Sequence, residues 1–288
     1  MASYTIFTDS ACDIPTTLLQ EWGVARIDLT FRFQGEDVEY ADGEISSHEF
    51  YDRMRTGGIA KTSAINSQIF KAAFAAALEQ GRDVIYLGFS SGLSTTFNSS
   101  RLAAQELCEQ YPERKVEVID SLAASAGFGL LVALAAQKRD EGADFADLVE
   151  YVNSIIPHLC HWFTVDDLVY LKRGGRVSPT VAFVGNLLGI KPILHVDDEG
   201  HLISMSKVRG RRAAIMALAK KYEELHDPSA SNVAFISHGD CEEDANTLKE
   251  IVESNYGAKV ELITPVGTVI GAHSGPGTLA FFFLATKR

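Results

Sequence analysis

The chain has 288 residues, 46% of them hydrophobic, and a formal net charge of -12 at pH 7. That apolar content fills one large core or two modest ones at a length where single cores begin to split, so two domains are expected. The acidic balance argues against general nucleic-acid binding, and no apolar stretch nears the roughly 20 residues of a membrane span. Met1 leads directly into a strand-like run rather than a signal peptide, which predicts a cytoplasmic protein.

The first half alternates β-rich and helical runs. Strands are expected at Tyr4 to Thr8, Ala25 to Phe33, Asp83 to Phe89 and Lys115 to Ile119. Helices are expected near Pro15 to Glu21, Ser47 to Arg55, Ser67 to Gln80 and Ser99 to Tyr111, with Ser46-Ser47-His48-Glu49 and Asn66 or Ser67 as N-caps and Gly57-Gly58 and Gly81 as stops. This alternation predicts an α/β fold whose N-terminal sheet is mostly parallel, with helices on both faces. A long apolar helix follows Asp120-Ser121 through Leu134, and Asp144 to Ile155 continues it until Pro157.

The second half has a different grain. Ile193 to Val196, a turn at Asp198-Glu199-Gly200, and Leu202 to Val208 predict a hairpin. Strands at Val233 to His238, Lys259 to Thr264 and Thr278 to Thr286, with helices at Arg211 to Leu225 and Glu242 to Tyr256, predict a C-terminal α/β domain with a mixed sheet. The expected domains are 1–163 and 164–288, with the ligand in the crevice between them. The apolar run Val181 to Ile193 reads as a buried helix or as the lining of a lipid pocket.

Charge is uneven: Lys172 to Lys221 carries +7 and the remainder -19. A solvated helix face is one reading. The other is a basic patch that meets an anionic ligand, an anionic membrane surface or an acidic partner.

Three segments gather hydroxyls and glycines: Phe89-Ser90-Ser91-Gly92-Leu93-Ser94-Thr95-Thr96 after a strand, Lys61-Thr62-Ser63 before a helix, and Gly267 to Gly277 around His273. Small residues let backbone approach an anion at the carboxyl ends of strands. A carboxylate taken into a partly buried site needs several donors, which Thr62, Ser94 and His273 can supply. By residue type alone, Thr62 and Ser94 also read as helix caps and His273 as a structural histidine. Arg173 and Arg176 read as surface residues or as a bidentate fork for a carboxylate or phosphate. Asp9, Ser10, Asp120 and Ser121, at strand ends, and Ser91 are assigned to a surrounding layer that orients the donors.

These segments, with Thr8-Asp9-Ser10-Ala11-Cys12-Asp13-Ile14-Pro15 and Leu171-Lys172-Arg173-Gly174-Gly175-Arg176-Val177-Ser178, resemble the DegV family of bacterial two-domain proteins that hold a fatty acid. The likeness runs in order from residue 4 to residue 285. The family's Thr-Ser-Gln-Pro-Ser appears here as Thr62-Ser63-Ala64-Ile65-Asn66-Ser67, and its Ser-Gly-Leu-Ser-Gly-Thr as Ser91-Gly92-Leu93-Ser94-Thr95-Thr96, with the hydroxyls kept. The resemblance implies that Thr62 and Ser94 bind the carboxylate of a long-chain fatty acid such as palmitate, stearate or oleate. It further implies that His273 completes the set, with Ser63 and Thr95 beside it and Arg173 at the entrance. It also implies a partner, a fatty acid kinase subunit that uses ATP to form an acyl phosphate for phospholipid synthesis. On that reading the chain has no cofactor and is not itself a catalyst. Its sequence contains no Gly-x-x-x-x-Gly-Lys-Ser/Thr.

Two other chemistries remain open. Gly88-Phe89-Ser90-Ser91-Gly92 fits the Gly-x-Ser-x-Gly nucleophile elbow, and Ser90, Asp120 or Asp240, and His273 follow the hydrolase order, so a serine esterase is the alternative. No His-Gly-Gly-Gly segment accompanies it. His158, Cys160 and His161 are metal-ligand types, yet a strand would point Cys160 and His161 to opposite faces, so no metal is expected. The four cysteines lack Cys-x-x-Cys spacing and read as free thiols.

Overall fold

The computed structural model describes residues 4–177, 189–227, 229 and 231–288. Its N-terminal half is built on β1 (Tyr4–Asp9), β2 (Val24–Ile27), β6 (Asp83–Gly88) and β7 (Val116–Asp120), in the order β2-β1-β6-β7. All three pairings are parallel. The crossovers carry α1 (Thr16–Glu21), α3 (Ser67–Glu79) and α4 (Thr96–Gln110). Asn66 caps α3 by accepting from Ile69 N, and α3 turns Phe70, Phe74, Ala77 and Leu78 inward at helical spacing.

The expected strand from Ala25 to Phe33 is two strands. Arg26 pairs with Asp28, and Ser10 Oγ takes the Leu29 amide, so the chain leaves β2 there and begins β3 (Thr30–Phe33) in another sheet. That small sheet has the order β4-β3-β5, with β4 at Tyr40–Ala41 and β5 at Ala60–Ser63. With α2 (Ser47–Arg55) it buries an aromatic cluster of Phe31, Phe33, Phe50 and Tyr51. Sequence periodicity showed no such unit. His48 and Arg55 on α2 both reach Asp240, tying it to the C-terminal half.

α5 (Ser125–Asp140) and α6 (Phe145–Ile155) are separate helices, because Asp144 caps the second by accepting from Ala146 N and Asp147 N. The first turns of α5 are buried on every side because the helix packs between three strands of the C-terminal sheet and the turn that follows β1. A side chain on Gly127 would collide with His161 and Phe282, and one on Gly129 with Ile14 and Cys12, so this helix touches both halves through its glycines.

The C-terminal sheet is mixed, β10-β9-β8-β13-β11-β12. It comprises β8 (Leu159–Thr164), β9 (Ile190–Val196), β10 (Leu202–Arg209), β11 (Val233–His238), β12 (Lys259–Pro265) and β13 (Leu279–Leu284). Only β11 and β12 pair in parallel, and β9 with β10 form the expected hairpin. Short α7 (Val169–Gly174) follows β8, α8 (Arg211–Leu225) and α9 (Glu242–Tyr256) pack on one face, and α10 (Thr268–Ser274) follows β12. Division at 163/164 would cut β8, which belongs wholly to this sheet, so we propose that the boundary precedes Leu159. Of the apolar run Val181 to Ile193, residues 181–188 lie outside the described residues, and its end is strand β9. No helix among the described residues is long and apolar enough to cross a membrane.

Candidate functional site

A cavity of about 490 Å³ opens where the three sheets meet. Its body is apolar: Leu29, Phe163, Val196, Leu202, Val269 and Phe282 are among the lining side chains. Polar groups concentrate where three elements converge, with Thr62 and Ser63 from β5, Ser91, Ser94 and Thr95 from the turn before α4, and His273 from α10. Volumes of about 300–1,000 Å³ with few convergent polar groups are typical of small-molecule sites.

Thr62 Oγ1 and His273 Nε2 lie 2.9 Å apart. Thr62 lies within strand β5, and Asn66 rather than Thr62 caps the helix that follows. Ser94 Oγ accepts from Thr96 N at 3.2 Å and donates to Thr96 Oγ1 at 3.0 Å, so it supports the start of α4 while facing the cavity. That helix begins at Thr96, not Ser99, because this hydroxyl collar supplies its first contacts. Ser63 sits at the rim and donates to Glu39 Oε1, and Thr95 is exposed beside it.

The His273 ring is largely enclosed. Burial, reinforced by the nearby Arg176 charge, lowers its pKa to about 4, so the ring is neutral near pH 7. Its Nδ1 lies against Gly174, where any side chain would collide with it. This contact accounts for the first glycine of Gly174-Gly175. Gly175, at φ 69°, ends α7 in the left-handed conformation and reverses the chain.

That reversal separates the two arginines. Arg173 is exposed beside the Tyr170 ring and does not line the cavity, whereas Arg176 does. Arg176 donates Nε to the Leu93 carbonyl at 3.1 Å and Nη1 to the Gly174 carbonyl at 2.5 Å. Among the described residues no carboxylate pairs with it, and its partial burial depresses its pKa. A half-buried guanidinium without a counter-ion is a site for an anion.

The residues assigned to the surrounding layer hold loop backbone. Buried Asp9 accepts from Tyr86 Oη, Phe89 N and Ala11 N, and burial raises its pKa to about 6 despite those donors. Asp120 accepts from Ser91 N and Leu122 N, each at 3.1 Å. Ser121 Oγ donates to Gly88 O and accepts from Ala123 N, while Ser10 positions Leu29, a cavity residue. Glu39 and Gly174 were not found from sequence, because their roles depend on partners distant in the chain.

The elbow reading fails on geometry. Ser90 is fully buried and its hydroxyl donates to Gly200 O at 2.9 Å, in the turn of the β9–β10 hairpin. Gly200, at φ 78°, presses so close that a side chain would strike Ser90 Oγ. His273 contacts Thr62 instead, Asp120 serves backbone amides, and Asp240 binds Arg55 and His48. Ser90 thus has no base and no room for a substrate carbonyl. Cys160 joins the core on the α8 side of β8, whereas His161 lines the cavity on the other.

A model described as uncharacterised protein, DegV family, matches residues 3–286. The chain is 41% identical over 290 residues to a DegV domain-containing protein from Clostridium perfringens, covering 100% of this chain and 99% of the relative. A structure described as showing fatty acid binding of a DegV family protein from Thermus thermophilus superposes with a TM-score of 0.87 at 31% identity, covering 98% and 99% of the two chains. A stearic acid-binding protein from Eubacterium ventriosum gives 0.87 at 25% identity, with 98% of each chain covered.

Proposed function

The chain belongs to the DegV family, and from that premise we propose that it binds a long-chain fatty acid, enclosing the acyl chain and holding the carboxylate at Thr62, Ser94, His273 and Arg176. The observation that carries this reading is the placement of one cation and several hydroxyl and imidazole groups together in the wall of an otherwise apolar cavity. An amphiphile with a single anionic end matches both parts. Burying the chain contributes about 0.8 kcal/mol per methylene. The acid offsets the cost of the half-buried Arg176 charge, and neutral His273 donates or accepts through Nε2 without adding a second cation.

Titrating delipidated protein with palmitic acid and with its primary alcohol tests this. The acid binds at least tenfold tighter than the alcohol, because both bury the same chain and only one meets the guanidinium. Equal affinities, or no binding of either, contradict the reading.

The finer role is that of a carrier, not a catalyst, that presents the carboxylate to a fatty acid kinase for acyl-phosphate formation. Exposed Ser63, Ser91 and Thr95 place the polar end close to the surface, which supports access by a second protein. The fatty acid itself comes from an anionic membrane. Lys172, Arg173, Lys207, Arg209 and Arg212 are exposed and make no ion pair among the described residues. A bulge between Ser204 and Ser206 shifts the register of β10 along the same hairpin whose Val196 and Leu202 line the cavity. Arg211, by contrast, is partly buried and pairs with Asp244. Arg173→Glu with Arg209→Glu slows acyl uptake from phosphatidylglycerol vesicles roughly thirtyfold or more, at about 1 kcal/mol per lost attraction, and leaves uptake from phosphatidylcholine unchanged. Equal rates from both vesicles would leave the basic residues without this role.

A further inference from the structure

Behind the His273 helix lie two buried carboxyl groups that the binding reading does not use. Asp42 follows β4 and Asp13 follows β1, and they are 5% and 7% exposed. Asp42 Oδ1 accepts from Thr268 N at 2.9 Å, Thr268 Oγ1 at 2.7 Å and Val269 N at 3.4 Å, so it caps the first turn of α10. Asp13 Oδ2 accepts from Ser125 Oγ, which also contacts Ser237 Oγ.

Oδ1 of Asp13 and Oδ2 of Asp42 make no hydrogen bond of good geometry, although the Gly267 amide acts on Asp13 and the Ser10 hydroxyl on Asp42. Both carboxyls face Gly267, where a side-chain carbon would stand 2.6 Å from Asp13 Oδ1, 3.2 Å from Asp42 Oδ1 and 3.4 Å from Asp42 Oδ2. Two buried carboxylates converging on one point repel unless a proton lies between them. Burial and mutual repulsion push Asp13 well above the carboxylate range, and burial raises Asp42 as well. The other ionisable groups acting on the pair include Asp9 from β1, Cys12 just before Asp13, Arg26 from β2 and Tyr51 from α2, while α10 itself contributes only His273.

We infer that Asp13 and Asp42 share one proton and act as positioning residues for His273, joining the β3–β5 sheet that carries Thr62 to the helix that carries its partner. Asp13 keeps the proton and donates it to Asp42 Oδ2, which frees Oδ1 to cap α10. The two sides of the Thr62–His273 contact are then set by one buried bond. This inference rests on the proposed carboxylate site.

The test is the affinity of delipidated protein for palmitic acid and for its primary alcohol. It is measured in wild type, Asp42→Ala and Asp42→Asn, at about pH 7 and about pH 9. Asp42→Ala loses the cap and weakens acid binding roughly tenfold, with the alcohol changed less than threefold. Asp42→Asn keeps a capping carbonyl and an N–H toward Asp13, so it restores acid binding. In wild type the shared proton leaves as pH rises and acid affinity falls, whereas Asp42→Asn shows no such fall. Equal losses for acid and alcohol in Asp42→Ala would reduce Asp42 to a structural cap, and identical pH profiles in wild type and Asp42→Asn would overturn the shared proton. Should Asp42→Ala not fold, the Asp42→Asn profile decides alone. Failure of wild type to prefer the acid would instead refute the site reading.

Discussion

Thr62→Val combined with Ser94→Ala is expected to abolish retention of fatty acid while leaving the fold intact. Hydrogen bonds to a charged group contribute about 1.5–3 kcal/mol each, so losing both weakens acid binding by roughly two to four orders of magnitude. Valine preserves the branched shape that β5 needs and removes only the Oγ1 that meets His273. Alanine at 94 removes the acceptor for Thr96 N, at a cost of about 1 kcal/mol to the start of α4. The alcohol, which lacks the charge, keeps most of its affinity. Mass measurement of co-purified lipid and a melting curve check both halves: unchanged acid content sinks the carboxylate assignment, and a collapsed melting curve makes the two hydroxyls structural.

The second large effect concerns a residue with no functional group. Gly174→Ala adds one methyl where His273 Nδ1 stands. Local helix propensity favours alanine over glycine by up to about 1 kcal/mol, and the backbone at 174 is not in the left-handed region. Propensity alone therefore predicts a small stabilisation. Packing predicts the reverse, since the imidazole must leave Thr62, and acid affinity falls roughly tenfold or more. Adding His273→Ala to Gly174→Ala makes room for the methyl and restores the melting temperature without restoring acid binding. A Gly174→Ala protein that binds acid normally would show that the ring need not touch Thr62.

The alternation of strands and helices was legible because β6 and β11 carry continuous apolar runs, β1 is rich in aromatic and β-branched residues, and α8 and α9 have one clear apolar stripe each. Helix α2 was legible through Ser46, which caps it by accepting from Glu49 N. The small third sheet was not, since β4 has two residues and β5, Ala60–Ser63, is mostly polar. Its apolar face is completed by Val266 and Ala272, more than 200 residues away in sequence. Within the site, hydroxyl-rich segments and glycine pairs indicated where the anion chemistry would gather. They did not indicate which arginine faces it. Gly175 decides that by ending α7 and reversing the chain between Arg173 and Arg176. The same limit explains Ser90. Its motif has the elbow's letters, yet the hairpin turn at Gly200, 110 residues on, occupies the space a substrate would need.

The most direct measurement is mass spectrometry of the purified protein under native and then denaturing conditions, for wild type and Ser94→Ala. The account predicts a bound species in the native wild-type spectrum, released on denaturation as a long-chain fatty acid and depleted in Ser94→Ala. A wild-type protein that carries no acid and takes none up when palmitic acid is added would contradict it.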